Sequence, residues 1–174
     1  MIVSIIGVGL IGGSIGLALK KSELKVKKII GIGRNLKRLK LAKKIGAVDE
    51  ITTDIKKGVK NVDIVFVCLP VGLIAETVKN ILPICKKGAI ITDVGSVKQP
   101  IVNDIEKFLN TYHLPLTAVF IGGHPIAGSE KTSVKYASKD LFKNAVVVLT
   151  PTKKTDKKSL DIVKKLWEKM KAKV

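Results

Sequence analysis

The first 21 residues, MIVSIIGVGLIGGSIGLALKK, constrain the fold more than any other stretch. An apolar run, Ile2 to Ile6, passes without a linker into Gly7-Val8-Gly9-Leu10-Ile11-Gly12. A second apolar segment, Ile15 to Leu19, follows and closes with Lys20 and Lys21. Strand, glycine turn and helix in that order are what a dinucleotide site requires, and each glycine has its own task. Gly7 makes the tight turn, Gly9 admits a pyrophosphate close to the backbone, and Gly12 lets the helix pack near the strand. The helix that starts near Leu10 and Ile11 then aims unpaired N–H groups and its positive dipole end at the phosphates. A turn without a ligand is the competing reading. The legible strand before it and helix after it favour the ligand.

The rest of the chain repeats that alternation. Strands are expected at Lys28 to Ile32, Glu50 to Thr52, Asp63 to Leu69, Ala89 to Thr92, Ala118 to Ile121 and Ala145 to Leu149. Helices are expected at Leu36 to Ile45, Gly72 to Leu82, Gln99 to Asn110 and Lys157 to Lys171. Such a pattern predicts an α/β fold of the Rossmann type: a doubly wound, mainly parallel sheet with helices on both faces. The 174 residues suffice for one good core and are too few for two generous domains. A hydrophobic content of 46% and a positive mean hydropathy argue against disorder.

No apolar run reaches the roughly 18 residues of a membrane span, so no membrane partner is expected. Met1 opens directly into an apolar run that reads as a strand, so no signal peptide is expected. Cys68 and Cys85 have neither metal nor disulfide-framework spacing. Buried thiols in a reducing cytoplasm, and no metal site, are the expectation.

A net charge of +18 comes almost entirely from lysines scattered through every helix, while aromatic residues make up 4%. Nucleic-acid surfaces concentrate their basic groups and interleave aromatic ones, so these lysines read as a solvated face and no nucleic-acid partner is expected. An anionic small substrate would still gain from the field.

In a doubly wound sheet, ligands bind beyond the carboxyl ends of the strands, where the winding reverses. Glycine, small and polar residues collect at those predicted ends. They are Gly7 to Gly12, Gly33-Arg34-Asn35, Leu69-Pro70-Val71, Asp93-Val94-Gly95-Ser96 and Gly122-Gly123-His124. All five segments should face one cleft, with Gly33, Leu69, Pro70, Val71, Asp93 and Gly95 on the cofactor side. A site selective for NAD places Asp or Glu after strand two, about 20 residues past the glycines. Here Gly33 and Arg34 stand in that place, and the chain's two arginines, Arg34 and Arg38, lie one helical turn apart. A guanidinium fork fits a 2′-phosphate, so NADP is expected over NAD, with NAD possible; two arginines on a basic surface helix are the plainer alternative.

Three segments in order carry a signature: Gly7 to Ser14, Asp93-Val94-Gly95-Ser96-Val97-Lys98, and Gly122-Gly123-His124-Pro125-Ile126-Ala127-Gly128-Ser129-Glu130. With Leu141-Phe142 and Leu166-Trp167, they resemble the prephenate/arogenate dehydrogenase family of tyrosine biosynthesis. The resemblance implies oxidation of the 4-hydroxyl-bearing carbon of prephenate or arogenate, with loss of carbon dioxide. His124 would take the hydroxyl proton and Ser96 would contact the same region. Glu130 would gate or tune the substrate pocket, and Lys98 would attract the anionic substrate.

From the residues alone, other readings stay open. His124 could cap backbone in a loop, Ser96 could be an N-cap, Asp93 reads as a turn or cap residue, and His113 reads as a solvated loop residue. The family's pattern continues past Lys171-Ala172-Lys173-Val174 into a helical domain that supplies dimer contacts and further cationic groups. The expectation is therefore a dinucleotide-binding domain over 1–174 of a homodimeric enzyme, weak or inactive by itself. Alternative functions are another NADP-dependent oxidoreductase of this architecture and a non-enzymatic NADP-binding module.

Overall fold

A computed structural model describes residues 1–111 and 118–174. His113, expected in a connecting loop, lies outside the described residues. The elements run β1 (Ile2–Ile6), α1 (Leu10–Lys21), β2 (Lys28–Ile32), α2 (Leu36–Lys44), β3 (Glu50–Thr52), α3 (Ile55–Val59), β4 (Ile64–Val67), α4 (Val71–Ile81), β5 (Ile90–Asp93), α5 (Lys98–Thr111), β6 (Val119–Ile126), β7 (Val146–Thr150) and α6 (Lys157–Lys169), with a 3-10 turn at Val134–Tyr136. The seven strands form one sheet in the order β3-β2-β1-β4-β5-β6-β7. The first six are parallel to their neighbours, and β7 runs antiparallel to β6. This is the expected Rossmann-type sheet, with its winding reversed between β1 and β4.

Strand periodicity divides the core between the two faces. Val3, Ile5, Ile64 and Phe66 turn toward α1 and α6, where Ile15, Leu19, Val163 and Trp167 are buried. Ile6, Val65, Val67 and Ile91 turn the other way, onto Ile74, Val78 and Ile81 of α4 and Ile101 and Ile105 of α5. Both faces of the central strands are therefore apolar, as a parallel sheet covered on both sides requires. Trp167 closes one face, edge-on to Phe66 at 5.8 Å and to Phe142 at 5.2 Å between ring centres. Short polar side chains start the outer helices. Asn35 accepts from the Arg38 N–H at 3.0 Å, and Asp156 accepts from the Ser159 N–H at 2.8 Å.

Two features depart from the sequence expectation. α3 is a single extra turn, begun by an Asp54 cap on the Lys57 N–H. β6 does not stop at Ile121 but continues through Ile126. Its first part pairs with β5 and its second, Gly122 to Ile126, pairs with β7.

Candidate active site

The loop between β1 and α1 is fixed by backbone bonds. The Gly7 N–H donates to the Ile32 carbonyl at 2.8 Å, the Gly9 N–H to the Gly7 carbonyl at 2.9 Å, and the Gly13 N–H to the Gly9 carbonyl at 2.9 Å. Gly7 has φ +89°, and a Cβ on it would collide with the Cys68 carbonyl oxygen, so only glycine makes this turn. A Cβ on Gly12 would lie 2.5 Å from the Gly7 carbonyl oxygen, which accounts for the close approach of α1 to β1. Gly9 is different. Its φ is −96°, and a Cβ there would meet one atom within 4 Å, the Thr132 carbonyl oxygen at 3.3 Å. Apart from that one tight contact, the space over Gly9 is open.

That space opens into a cleft of about 420 Å³ at the carboxyl ends of β1, β4, β5 and β6. Gly9, Leu10 and Ile11 line one side. Cys68, Leu69, Pro70 and Val71 line the next, and Val94, Gly95 and Ser96 follow from the end of β5. His124 and Pro125 come from β6, and Ala127, Gly128, Ser129, Lys131 and Thr132 from the segment after it. The glycine loop, Ser96 and His124, all singled out from sequence, thus share one cavity of the size that holds small ligands. Among the described residues the imidazole of His124 has no hydrogen-bond partner, which leaves both ring nitrogens free for a ligand.

α1 starts at the wall of this cleft. It is a twelve-residue helix capped by Gly9, with no side-chain cap and no acidic residue in its first turn. One of its first amides is engaged: the Leu10 N–H donates to the Thr132 carbonyl at a long 3.3 Å. A phosphate oxygen makes shorter, charge-assisted bonds to such amides and would displace that neutral contact.

Not every expected residue reaches the cleft. Gly7 and Gly12 shape the loop from beneath. Gly33, Arg34, Asn35 and Arg38 stand at the end of β2, outside the cavity wall, with both arginines exposed. Among the described residues neither guanidinium has an ion-pair or hydrogen-bond partner. Glu130 is exposed and forms no part of the lining, while its neighbours Ser129 and Lys131 do.

Asp93 and Lys98 need correcting. Asp93, expected as a turn or cap residue on the cofactor side, does accept from the Gly95 N–H two residues on, but it is the fully buried last residue of β5 and forms no part of the lining. Lys98 is not a free cation for substrate, because its ammonium is bound to the Asp93 carboxylate and to the Gly123 carbonyl at 2.8 Å. Burial pulls the Lys98 pKa below its ordinary value, against the opposing pull of the Asp93 charge. Both residues stand behind the wall because the ladder from β5 ends there and side chains must satisfy the backbone.

Sequence reasoning also missed residues of the lining. Cys68 had no chemical signal, Lys131 was hidden among many lysines, and Thr132 stood in a segment with no expected element. Burial, reinforced by the nearby Asp93 charge, drives the Cys68 pKa far up, so it contributes a neutral wall and not a nucleophile. Among the described residues, no group of three His, Cys, Asp or Glu side chains could hold a metal ion, and no helix is long and apolar enough to cross a membrane.

A family model described as the nucleotide-binding domain of prephenate dehydrogenase matches residues 15–174. The chain belongs to the prephenate dehydrogenase family. The matched span starts beyond the glycine loop, so the loop geometry and the family match are separate observations. A prephenate dehydrogenase of Bacillus subtilis is 39% identical over 164 residues, 92% of this chain and 42% of that protein. The crystal structure of prephenate dehydrogenase from Aquifex aeolicus in complex with hydroxyphenyl propionate and NAD+ superposes with a TM-score of 0.86 at 39% identity. It covers all of this chain and 58% of that one. The arogenate dehydrogenase of Synechocystis superposes equally well, TM-score 0.86 at 32% identity, covering 99% of this chain and 58% of that one. The chain thus spans about half the length of these family members.

Proposed function

We propose that this chain is the cofactor-binding part of an enzyme that oxidises prephenate to 4-hydroxyphenylpyruvate and carbon dioxide, using NADP in preference to NAD. The observation that carries the proposal is that His124 and the helix-start amides beside Gly9 line one cleft. The residues fit a dinucleotide: the uncluttered face of Gly9, the uncapped start of α1 and the apolar wall from Leu69 to Val71 match a pyrophosphate and its flanking rings. Arg34 and Arg38, exposed at the end of β2 and unpaired among the described residues, support the preference for NADP, because a guanidinium fork suits a 2′-phosphate.

Hydride acceptance from the hydroxyl-bearing carbon of the substrate is the chemistry that a nicotinamide held in this cleft would supply. His124 receives the proton of that 4-hydroxyl as the carbon becomes a ketone. When the ring carboxylate leaves as carbon dioxide, its bonding pair enters the ring, and His124 returns the proton to the oxygen of the new phenol. Ser96, across the same cleft, holds the hydroxyl in line. Aromatisation supplies the driving force, so the task of these residues is orientation and proton transfer. The partners of the substrate carboxylates and the contacts of a homodimer belong, in this proposal, to the helical domain that follows residue 174 in such enzymes.

The test is to titrate the full-length protein with NADP and with NAD, then add prephenate or arogenate and follow reduced nicotinamide. Reduction dependent on prephenate and faster with NADP is the expected result. Reduction with arogenate alone would change the substrate, and no reduction with either would end the proposal.

A further inference from the structure

The end of β5 holds a buried carboxylate for which the chemistry above has no use. Asp93 has no solvent exposure, and both of its oxygens are occupied. Oδ2 accepts from the Gly95 N–H at 2.9 Å and from the Lys98 ammonium; Oδ1 accepts from the Gly123 N–H at 3.0 Å. Lys98, whose side chain is 13% exposed, spends a second hydrogen on the Gly123 carbonyl at 2.8 Å. The two side chains therefore hold both polar groups of Gly123, one residue before His124, and the amide of Gly95, one residue before Ser96.

Strand topology shows why side chains are needed there. The ladder between β5 and β6 ends at Thr92 and Ile121, yet β6 continues for five more residues. Its outer edge is paired, Gly123 with Leu149 and His124 with Val148. On the inner edge the β5 ladder no longer pairs with it, and Asp93 with Lys98 presents one acceptor and one donor in its place. A Cβ on Gly123 would come within 2.9 Å of the Asp93 carbonyl oxygen, so glycine permits the approach.

We propose that Asp93 and Lys98 are positioning residues for the dehydrogenation: a single buried carboxylate ties the backbone before Ser96 to the backbone before His124 and sets the separation of hydroxyl and imidazole across the cleft. This rests on the catalytic reading of His124 and Ser96 given above. Stability alone accounts poorly for the arrangement, because a buried ion pair is often replaceable by apolar groups without loss. What apolar groups cannot reproduce is the convergence on these two peptides.

The test compares Asp93→Asn, the double variant Asp93→Asn/Lys98→Met, and a control, Ser4→Ala, in the full-length protein. Ser4 is equally buried and donates to the Gly58 carbonyl at 2.6 Å, and neither residue lines the cleft. kcat, KM, cofactor Kd, the melting midpoint and the His124 ring resonances are measured. The chain has two histidines, so His124→Asn assigns the resonances. In both Asp93 variants kcat should fall about 100-fold, the scale of an ångström of misplacement, while cofactor Kd stays within about twofold and the His124 resonances move. The double variant buries no unpaired charge and so guards against a simple folding failure.

Loss of kcat only in proportion to the melting midpoint, as in Ser4→Ala, overturns the positioning role, and so does near-normal kcat in the double variant. If the unmodified protein oxidises neither prephenate nor arogenate, the catalytic reading fails by itself. The resonances then decide alone, with unmoved His124 signals in Asp93→Asn overturning the latch and displaced ones upholding it.

Discussion

Replacing Gly9 with alanine separates the fold from the ligand more cleanly than any other change in the glycine loop. At φ −96° and ψ −148° an alanine sits at the edge of the extended region, well short of the strain a positive φ imposes, and its methyl would meet one atom, the Thr132 carbonyl oxygen at 3.3 Å, on an exposed segment that can shift by a few tenths of an ångström. Removing a glycine also narrows the unfolded ensemble, a gain of about 0.4–1 kcal/mol that offsets the crowding. Net stability should change by less than about 1 kcal/mol. Cofactor binding has no such escape, because the methyl occupies the face through which a phosphate reaches the first amides of α1.

Losing one charged hydrogen bond costs about 1.5–3 kcal/mol, which is about 10- to 150-fold in Kd. Gly12→Ala supplies the contrast. Its methyl would lie 2.5 Å from the Gly7 carbonyl oxygen and 2.9 Å from Ile5 Cγ2, and overpacking of that kind costs about 1–3 kcal/mol of stability. Calorimetric titration with NADP beside thermal melts of both variants makes the comparison. A Gly9→Ala protein that binds NADP with unchanged Kd would refute the assignment of this loop to the pyrophosphate.

Other outcomes follow from single groups. Arg34→Ala should weaken NADP by about 1.5–3 kcal/mol and leave NAD within about twofold, read by parallel titrations, since only one cofactor carries the 2′-phosphate. Trp167→Ala, which empties a fully buried site between Phe66 and Phe142, should cost about 3–5 kcal/mol in denaturant unfolding. Burial pushes the Cys85 thiol up to about 11, so alkylation of the native protein at pH 8 should leave it unmodified, as mass spectrometry of its peptide would show.

The acid limb of stability should involve Asp63. Burial, which alone would raise its pKa, is outweighed by Lys86 and the Ile2 N–H, so the folded value lies below 3.8. A lowered folded pKa means that its contribution is whole above the unfolded value and is lost as pH falls through the folded one. Asp63→Asn should therefore flatten the loss of stability below about pH 4 and do little to its shape above that.

The first βα unit was legible because each of its steps is local: apolar strand, glycine turn and apolar helix occupy consecutive residues. The doubly wound, mainly parallel sheet followed from the alternation, and the segments named for the strand ends do supply most of the cleft wall. What sequence could not give was non-local. Gly122-Gly123-His124-Pro125 has the composition of a turn, and it is strand only because Leu149 and Val148 pair with it from a later segment while Asp93 and Lys98 hold its other edge. Asp93 read as a turn residue for the same reason: its bond to Gly95 is local, but the bond that matters reaches Gly123, 30 residues away. The segment after Ile126 was recognised by its letters and not placed, so Lys131 and Thr132 went unnoticed as lining.

The central claim is that one cleft holds both the cofactor's phosphates and the imidazole that moves the substrate proton. His124→Asn in the full-length protein tests it, with kcat for prephenate oxidation and Kd for NADP measured on the same preparation. The account predicts that kcat falls by about 10²–10⁴, the worth of a positioned general base, while Kd stays within about twofold. A His124→Asn protein that turns over prephenate at the unmodified rate would contradict it.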